Sequence, residues 1–244
     1  MAMSHTLYVD MHCHCHEIPV DKLREYVDQG FTLVCVSDDI ESSKKTLAIA
    51  KKLDIVPCLG IHPWEVHNHS LENFYEFLEK AISSGVKCLG EVGLDKAFYS
   101  KTYRLQEKVF RVWLEYAKEY ELVLNIHAAG AWREVYDYLV KWDIDRAFIH
   151  WYTGPLDLLE EIVNMGYYVG INPAWKIQAK HRRIAEVLAP EAMLTESDAP
   201  YKYRGYELSP SLIPETVRFI AMHKQLDVET VKLVIVKNYY NLFK

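Results

Sequence analysis

Several things are scarce in this chain, and each absence narrows its class. No apolar run reaches the roughly 20 residues that a membrane-spanning helix needs. Half the residues are hydrophobic and a quarter charged, the profile of an ordinary soluble protein. No membrane association is therefore expected. The first residues, Met1 to His5, lack the charged and apolar regions of a secretory signal and are set aside. Cysteine is sparse and odd in number, with five residues at positions 13, 15, 35, 58 and 88. All but the first two lie inside apolar stretches such as Val34-Cys35-Val36 and Pro57-Cys58-Leu59. That distribution predicts buried free thiols in a reducing compartment rather than a disulfide framework, and so a cytoplasmic protein. Positive charge is not in surplus either. Against 34 acidic residues stand 28 basic ones, a formal charge of −6, so no global electrostatic case exists for nucleic acid. Bound divalent cations would offset several of those negative charges. No feature calls for an obligate protein partner.

What the chain does contain is a rhythm. Short β-branched apolar runs alternate with longer amphipathic stretches. The runs are Leu7 to Asp10, Phe31 to Val36, Ile55 to Ile61, Val86 to Val92, Leu122 to Ile126, Ala147 to Ile149, Tyr167 to Ile171 and Ala192 to Thr195. Between them, apolar residues recur at helical spacing, as in Leu105, Val109, Val112, Trp113 and Tyr116. Two helical stretches, Ile213 to His223 and Thr230 to Phe243, close the chain. Eight strand–helix units without a linker predict an α/β protein, one (β/α)₈ TIM barrel spanning 1–244. An open doubly wound sheet would ordinarily show a Gly-rich phosphate turn after its first strand, and there is none.

Residues with metal-ligand chemistry fall at the C-terminal ends of these runs. Asp10, His12 and His14 close the first, Glu91 the fourth, His127 the fifth and His150 the sixth, and Asp198 follows the eighth. In a barrel those ends converge on one face. Alternate residues of an extended segment share a side, so Asp10, His12 and His14 point together, and Cys13 and Cys15 point away. Two imidazoles can grip one cation, and Asp10 can orient a ring through its second nitrogen. Four histidines and two carboxylates suit two divalent cations: His12 and His14 on one, His127 and His150 on the other, Glu91 bridging, and Asp198 on the first beside a water. Two cations about 3.5–4 Å apart can activate water and stabilise the attacking and leaving oxygens of a phosphoryl displacement. Imidazole-rich ligation favours Zn, Mn or Fe over Mg, though Mg, Mn and Zn are all candidates to supply. Outside this set, His67 and His69 are expected at the solvated surface and His223 as a hydrogen-bonded core residue.

These residues resemble the TatD family of metal-dependent deoxyribonucleases, amidohydrolase-like barrels, over nearly the whole chain and in the family's order. Asp10-Met11-His12-Cys13-His14 resembles its opening metal motif, Gly60-Ile61-His62-Pro63 its GxHP and Gly90-Glu91-Val92-Gly93-Leu94-Asp95 its GExGLD. Gln106 and Phe110 fall where the family's helical Gln and Phe lie. Asn125-Ile126-His127 and His150-Trp151-Tyr152-Thr153-Gly154 resemble its later histidine motifs, Thr195 to Pro200 its ETDxP segment, and Asn238 to Phe243 its C-terminal signature. The resemblance implies that His12, His14, Glu91, His127, His150 and Asp198 carry the metals. It also implies that His62 contacts the scissile phosphate or leaving group, and that Glu196 supports the site from behind. The implied reaction is hydrolysis of phosphodiester bonds in DNA, with Asp198 assisting proton removal from the attacking water.

The departures concern the substrate side. Ala129 stands where the family usually has an arginine, HWYTG replaces HCFSG, and Lys96-Ala97-Phe98 follows GLD. Lys202 or Arg204 is a candidate replacement for the arginine. The mixed aromatic and basic stretches Trp175 to Arg183 and Tyr201 to Arg204 are the features that favour an anionic polymer. A relative acting on a small phosphoester, an amide or a lactone is the competing reading, and a metal-bound scaffold without turnover the third. Glu91 stands where many amidase relatives carry a carboxylated lysine, which weighs against the amide.

Overall fold

The computed structural model describes residues 7–244, so the reading of Met1 to His5 lies outside the described residues. Eight parallel strands follow one another around a ring in sequence order: β1 (Tyr8–Cys13), β2 (Phe31–Cys35), β3 (Val56–Leu59), β4 (Cys88–Gly93), β5 (Val123–His127), β6 (Ala147–Ile149), β7 (Tyr168–Ile171) and β8 (Met193–Thr195). Most of their residues are buried, as expected where helices cover one face of a parallel sheet and the barrel interior fills the other. The ring closes between β8 and β1. A parallel bridge joins Cys13 to Ala199, the His14 amide donates to the Ala199 carbonyl at 2.8 Å, and the Asp198 amide donates to the His12 carbonyl at 2.8 Å. The Thr195 hydroxyl adds a bond to the Val9 carbonyl at 2.5 Å. This closure ties the segment bearing Asp198 directly to the strand bearing His12.

The helices start where the local chemistry tells them to. α1 (Val20–Asp28) follows Pro19. α2 (Ile40–Ala50) begins at Asp39, whose carboxylate accepts the Ser42 amide at 2.7 Å while the Ser42 hydroxyl accepts the Asp39 amide at 2.8 Å. α3 (Leu71–Ser83) has the same reciprocal arrangement between Ser70 and Asn73. α4 (Tyr103–Glu119) buries Val109, Val112, Trp113 and Tyr116 of the stripe read from the sequence, with Leu105 partly buried and Phe110 buried beside them. Trp113 packs edge-on to Phe74 and Phe77 of α3, with ring centroids 6.0 and 6.1 Å away. α5 (Trp132–Lys141), α6 (Leu156–Asn164), α7 (Ala179–Val187), α8 (Ile213–Lys224) and α9 (Val228–Leu242) complete the outer layer. A short hairpin of β9 (Lys202–Tyr203) and β10 (Tyr206–Glu207) rises from the loop after β8. No helix among the described residues is long and apolar enough to cross a membrane.

Two expectations are corrected. Cys15 is bonded to Cys35 and Cys58 to Cys88, which leaves Cys13 as a buried free thiol. The reason lies in tertiary proximity. Cys58 and Cys88 are direct register partners on neighbouring strands, with Cα atoms 4.5 Å apart, whereas Cys15, in the turn after β1, comes within 5.3 Å of Cys35 although the register partner of Cys35 is Cys13. Spacing along the chain does not reveal which buried cysteines stand opposite one another, and with the thiols paired the argument for a reducing compartment loses its premise. His223 is also not a core residue. It is exposed on α8, bonded through Nδ1 to its own helix at the Phe219 carbonyl and 3.8 Å from Glu186.

Gly93 ends β4 with φ 145°, and a Cβ built there would sit 1.9 Å from the His127 carbonyl oxygen. Gly93→Ala should therefore force β4 and β5 apart and cost roughly 3 kcal/mol or more. Equilibrium denaturation reads this as a lower midpoint; a midpoint equal to that of the unmodified chain would show that the strands can yield.

Candidate metal centre

At the C-terminal end of the barrel the side chains named from the sequence meet around one carboxylate. Glu91, inside β4, is almost fully buried, and its two oxygens face different partners. Oε2 lies 3.2 Å from His12 Nε2 and 3.7 Å from His14 Nε2. Oε1 lies 2.8 Å from His127 Nδ1 and 3.4 Å from His62 Nε2. Asp198 completes the first side, its Oδ1 3.3 Å from His14 Nε2, 3.6 Å from His12 Nε2 and 3.9 Å from His150 Nε2. Asp198 has a left-handed backbone, φ 58°, as does Trp151 at φ 42°. Such conformations cost of order 1–3 kcal/mol each and persist where the surroundings impose them. At Asp198 the amide bond to the His12 carbonyl and the Tyr201 amide on its own carbonyl do so.

Each ring that faces this centre is held by its other nitrogen. His12 Nδ1 lies 2.8 Å from Asn125 Oδ1, and because Asn125 Nδ2 donates to the Met11 carbonyl at 2.7 Å, the amide oxygen must accept. His12 therefore carries its proton on Nδ1 and presents a lone pair at Nε2. His14 Nδ1 lies 3.0 Å from Asp38 Oδ1, His127 Nε2 2.9 Å from Asp95 Oδ2, and His150 Nδ1 2.7 Å from Glu196 Oε2. Such partners fix tautomer and ring orientation and raise the basicity of the inward nitrogen. His150 also stacks on His12, centroids 3.7 Å apart.

The electrostatics follow from burial and mutual contact. Burial opposes the charge of His127, but its bonds to Asp95 and Glu91 overcome this and raise its pKa to about 9. His12 and His14 are raised as well, against burial, chiefly by Glu91 for His12 and by Asp38 and Asp198 for His14. Burial and the neighbouring His12 lower His150 to about 3, so it stays neutral. Burial would raise Glu91, but His62, His12 and His127 hold it well below the usual carboxylate range. Asp10 and Glu196 are pushed up by burial to about 7.

Does this donor set fit a metal? His12 Nε2 is buried, has no hydrogen-bond partner, and faces the carboxylates of Glu91 and Asp198. A buried polar atom of that kind normally finds a partner. His12, His14 and Asp198 offer donor atoms all within 4.8 Å of one another, as do His62, Glu91 and His127. Mixed imidazole and carboxylate donors are the chemistry of Zn and Mn sites. The residues fit divalent cations.

Not every expected grouping appears. His150 shares a close donor set with His12 and Glu196 rather than with His127. Asp10 orients no ring: it accepts the amides of Ser197 at 2.8 Å and His12 at 3.3 Å and so pins the loop after β8 to β1. Its side chain is fully enclosed at the β1–β8 seam, where backbone amides are within its reach. Lys202 and Arg204 are exposed on the β9–β10 hairpin, with Arg204 over the Tyr203 ring, and neither lines the cleft above the centre. In the stretch after β7, His181 is buried between Asn172 and Tyr152, and Arg182 is spent on the Trp175 and Lys176 carbonyls. Conversely, reading the sequence does not single out Asp38 and His16. Asp38 Oδ2 lies 3.1 Å from His16 Nε2, so one carboxylate joins two rings. Its position just beyond the second strand is the available signal. Asn125 and Asp95 lie within recognisable motifs, but only proximity reveals that they hold His12 and His127.

The centre floors a cleft of about 530 Å³ walled by Trp64 and Phe98 on one side and by Trp151, Tyr201 and Tyr203 on the other. The family model described as TatD related DNase matches residues 9–244. An uncharacterized metal-dependent hydrolase of Methanocaldococcus jannaschii is 30% identical over 246 residues, covering 97% of each chain. One of Bacillus subtilis is 23% identical, covering 96% of this chain and 98% of the relative. The crystal structure of the TatD homologue YjjV of Escherichia coli K12 superposes with a TM-score of 0.87 at 23% identity over 98% of each chain. The barrel, the ordered motifs and the full-length match agree, and the chain belongs to the TatD family of metal-dependent hydrolases.

Proposed function

We propose that the chain is a deoxyribonuclease-type phosphodiesterase that uses two divalent cations, with Mg, Mn and Zn as candidates. The observation that carries this reading is the division of the Glu91 carboxylate, Oε2 toward His12 and His14 and Oε1 toward His127. His12, His14 and Asp198 would hold the first cation and His127 the second, with Glu91 on both and His150, whose Nε2 faces Asp198 Oδ1 at 3.9 Å, joining the second on the family's pattern. Bound there, the cations supply positive charge against the phosphate and make water a nucleophile at neutral pH. Asp198 Oδ1, which lies within 3.9 Å of three imidazoles, would accept the proton of the attacking water. His62 Nδ1 accepts the Trp64 amide at 3.2 Å, which leaves the proton on Nε2 and makes that atom a donor to the phosphate or the leaving oxygen. Glu196 and Asp38 orient His150 and His14. The description of the matched family as DNases supports the choice of substrate.

Metal-stripped protein resupplied with Mg, Mn or Zn is expected to hydrolyse DNA. Asp198→Asn should lower kcat by about two to four orders of magnitude in a matched preparation. Stoichiometric metal without any cleavage of single- or double-stranded DNA would reject the nuclease assignment.

Asp38→Asn removes the charge that orients His14 and should weaken metal binding by about 10–100-fold, measured by chelator competition. Unchanged affinity would show that Asp38 is a bystander.

His127, raised to about 9, is protonated at neutral pH in the metal-free chain and must shed that proton to ligate. Affinity should accordingly rise with pH, by up to about tenfold per unit for each proton released, with the share due to His127 levelling off above about 9. Calorimetry in buffers of different ionisation enthalpy would count the proton; a value of zero contradicts the assignment of His127.

A further inference from the structure

The walls of the cleft have a chemistry that a polyanion groove would not have. None of its described lining residues is a lysine or an arginine, while Glu17, Asp38 and Glu65 all border it. Several nearby cations are engaged elsewhere, and Lys202 and Arg204 stand exposed on the β9–β10 hairpin outside the lining. Lys96 is paired with Glu134, Lys176 with Glu215 at 2.5 Å, and Arg183 lies 3.6 Å from Glu186. Proteins that follow a nucleic-acid strand do the opposite and line the path with free Lys and Arg.

In place of cations the cleft has fixed aromatic faces. Trp64 comes from the loop after β3 and Phe98 from the loop after β4. Trp151 follows β6, and Tyr201 and Tyr203 follow β8, across the ring of strands. The indoles are tethered by their N–H groups, Trp64 to Asp95 Oδ2 at 2.6 Å and Trp151 to Gln178 Oε1 at 2.6 Å. Gln178 in turn donates to the Tyr203 hydroxyl at 3.2 Å, and the Trp151 and Tyr203 rings meet edge to face at 5.1 Å. Phe98 is 73% exposed and Tyr201 49%, large apolar surface left bare beside the metal centre. Tethered indoles flanked by bare aromatic rings offer stacking platforms. The cleft's volume of about 530 Å³ is that of a small-molecule site.

We propose that this cleft takes a nucleotide-sized phosphodiester, one planar ring joined to one phosphate. Trp151 and Phe98 set the preference by gripping the ring, and the surface beyond makes no use of further phosphates. This rests on the phosphodiesterase reading and specifies the part of the substrate that is recognised. The charge of the single phosphate falls to the metal centre and His62, which explains how the chain dispenses with an arginine at Ala129.

The test uses metal-loaded protein and two readouts. In calorimetry, thymidine 5′-monophosphate should bind at least about tenfold more tightly than 2-deoxyribose 5-phosphate, which lacks the ring. Trp151→Ala and Phe98→Ala should each erase most of that difference by weakening the nucleotide alone, and Trp151→Phe should restore it. Phe98 is exposed enough that its variant tests the idea even if Trp151→Ala fails to fold. In kinetics, the p-nitrophenyl ester of thymidine 5′-monophosphate should match a single strand of about 20 nucleotides in kcat/KM within roughly tenfold. Between about 50 and about 200 mM salt the strand should lose only about threefold, the slope of one phosphate contact, whereas five contacts would lose about a hundredfold. Equal binding of the ring-bearing and ring-free phosphates would overturn the proposal, and so would a steep salt dependence. If no diester is hydrolysed the phosphodiesterase reading fails, and the binding comparison still decides whether the ring is gripped.

Discussion

The carboxylate of Glu91 is the constraint around which the rest of this structure is arranged. It is buried at the end of the barrel, where a lone negative charge would be strongly disfavoured. Its surroundings answer with imidazoles on both oxygens, His12 and His14 on one side and His127 and His62 on the other. Those imidazoles in turn crowd one another: His12 stacks on His150, and His62 lies edge-on to His127. Positive and negative groups so close together do not form a relaxed ion-pair network. They form a set of donors whose charges balance when divalent cations are included, and whose protons occupy part of that role otherwise.

Outside that core lies a ring of groups whose task is orientation. Asn125, Asp38, Asp95 and Glu196 each hold the outward nitrogen of one histidine, and they come from β5, the loops after β2 and β4, and the loop after β8. Their distribution explains why the barrel must close accurately. Asp10, enclosed at the β1–β8 seam, fastens the Ser197 amide beside Asp198, and the backbone bridge from Cys13 to Ala199 lies a few residues away. Packing deep in the fold and donor geometry at its mouth are thus one problem, since the strands that carry the core also set the ligand positions. Gly93 belongs to the same requirement, because β4 can approach the His127 carbonyl only where no side chain intervenes.

On the proposed reading, the division between donor floor and aromatic walls separates chemistry from recognition. The floor is built on strand ends and tightly bonded; the walls stand on the loops between them, with Phe98 and Tyr201 exposed to solvent. Substitutions in the loops can alter the compound accepted without disturbing the donors, as expected of barrels whose βα loops carry specificity.

Much of the architecture is legible in the order of residues. Eight alternating runs fix the succession of elements, because short β-branched apolar runs bounded by turn residues suit buried strands while the longer stretches between them carry helical periodicity. The placement of His12, Glu91, His127 and His150 at the ends of those runs follows from the same periodicity, so spacing suffices to name the ligand candidates. Pairwise relations are another matter. Nothing in the chain says that Cys58 faces Cys88, that Asn125 rather than Asp10 holds His12, or that Asp38 joins His14 to His16. The basic residues after the last strands read as a phosphate path in sequence, yet in the fold they are exposed on a hairpin or engaged with Glu215, Glu186 and backbone carbonyls. Local pattern alone settles which strand each donor stands on, since burial periodicity is a property of neighbours in the chain. Which donors touch, and which cations remain free, is settled in three dimensions, because side-chain contacts depend on register between strands and on the competition among neighbours for each charge.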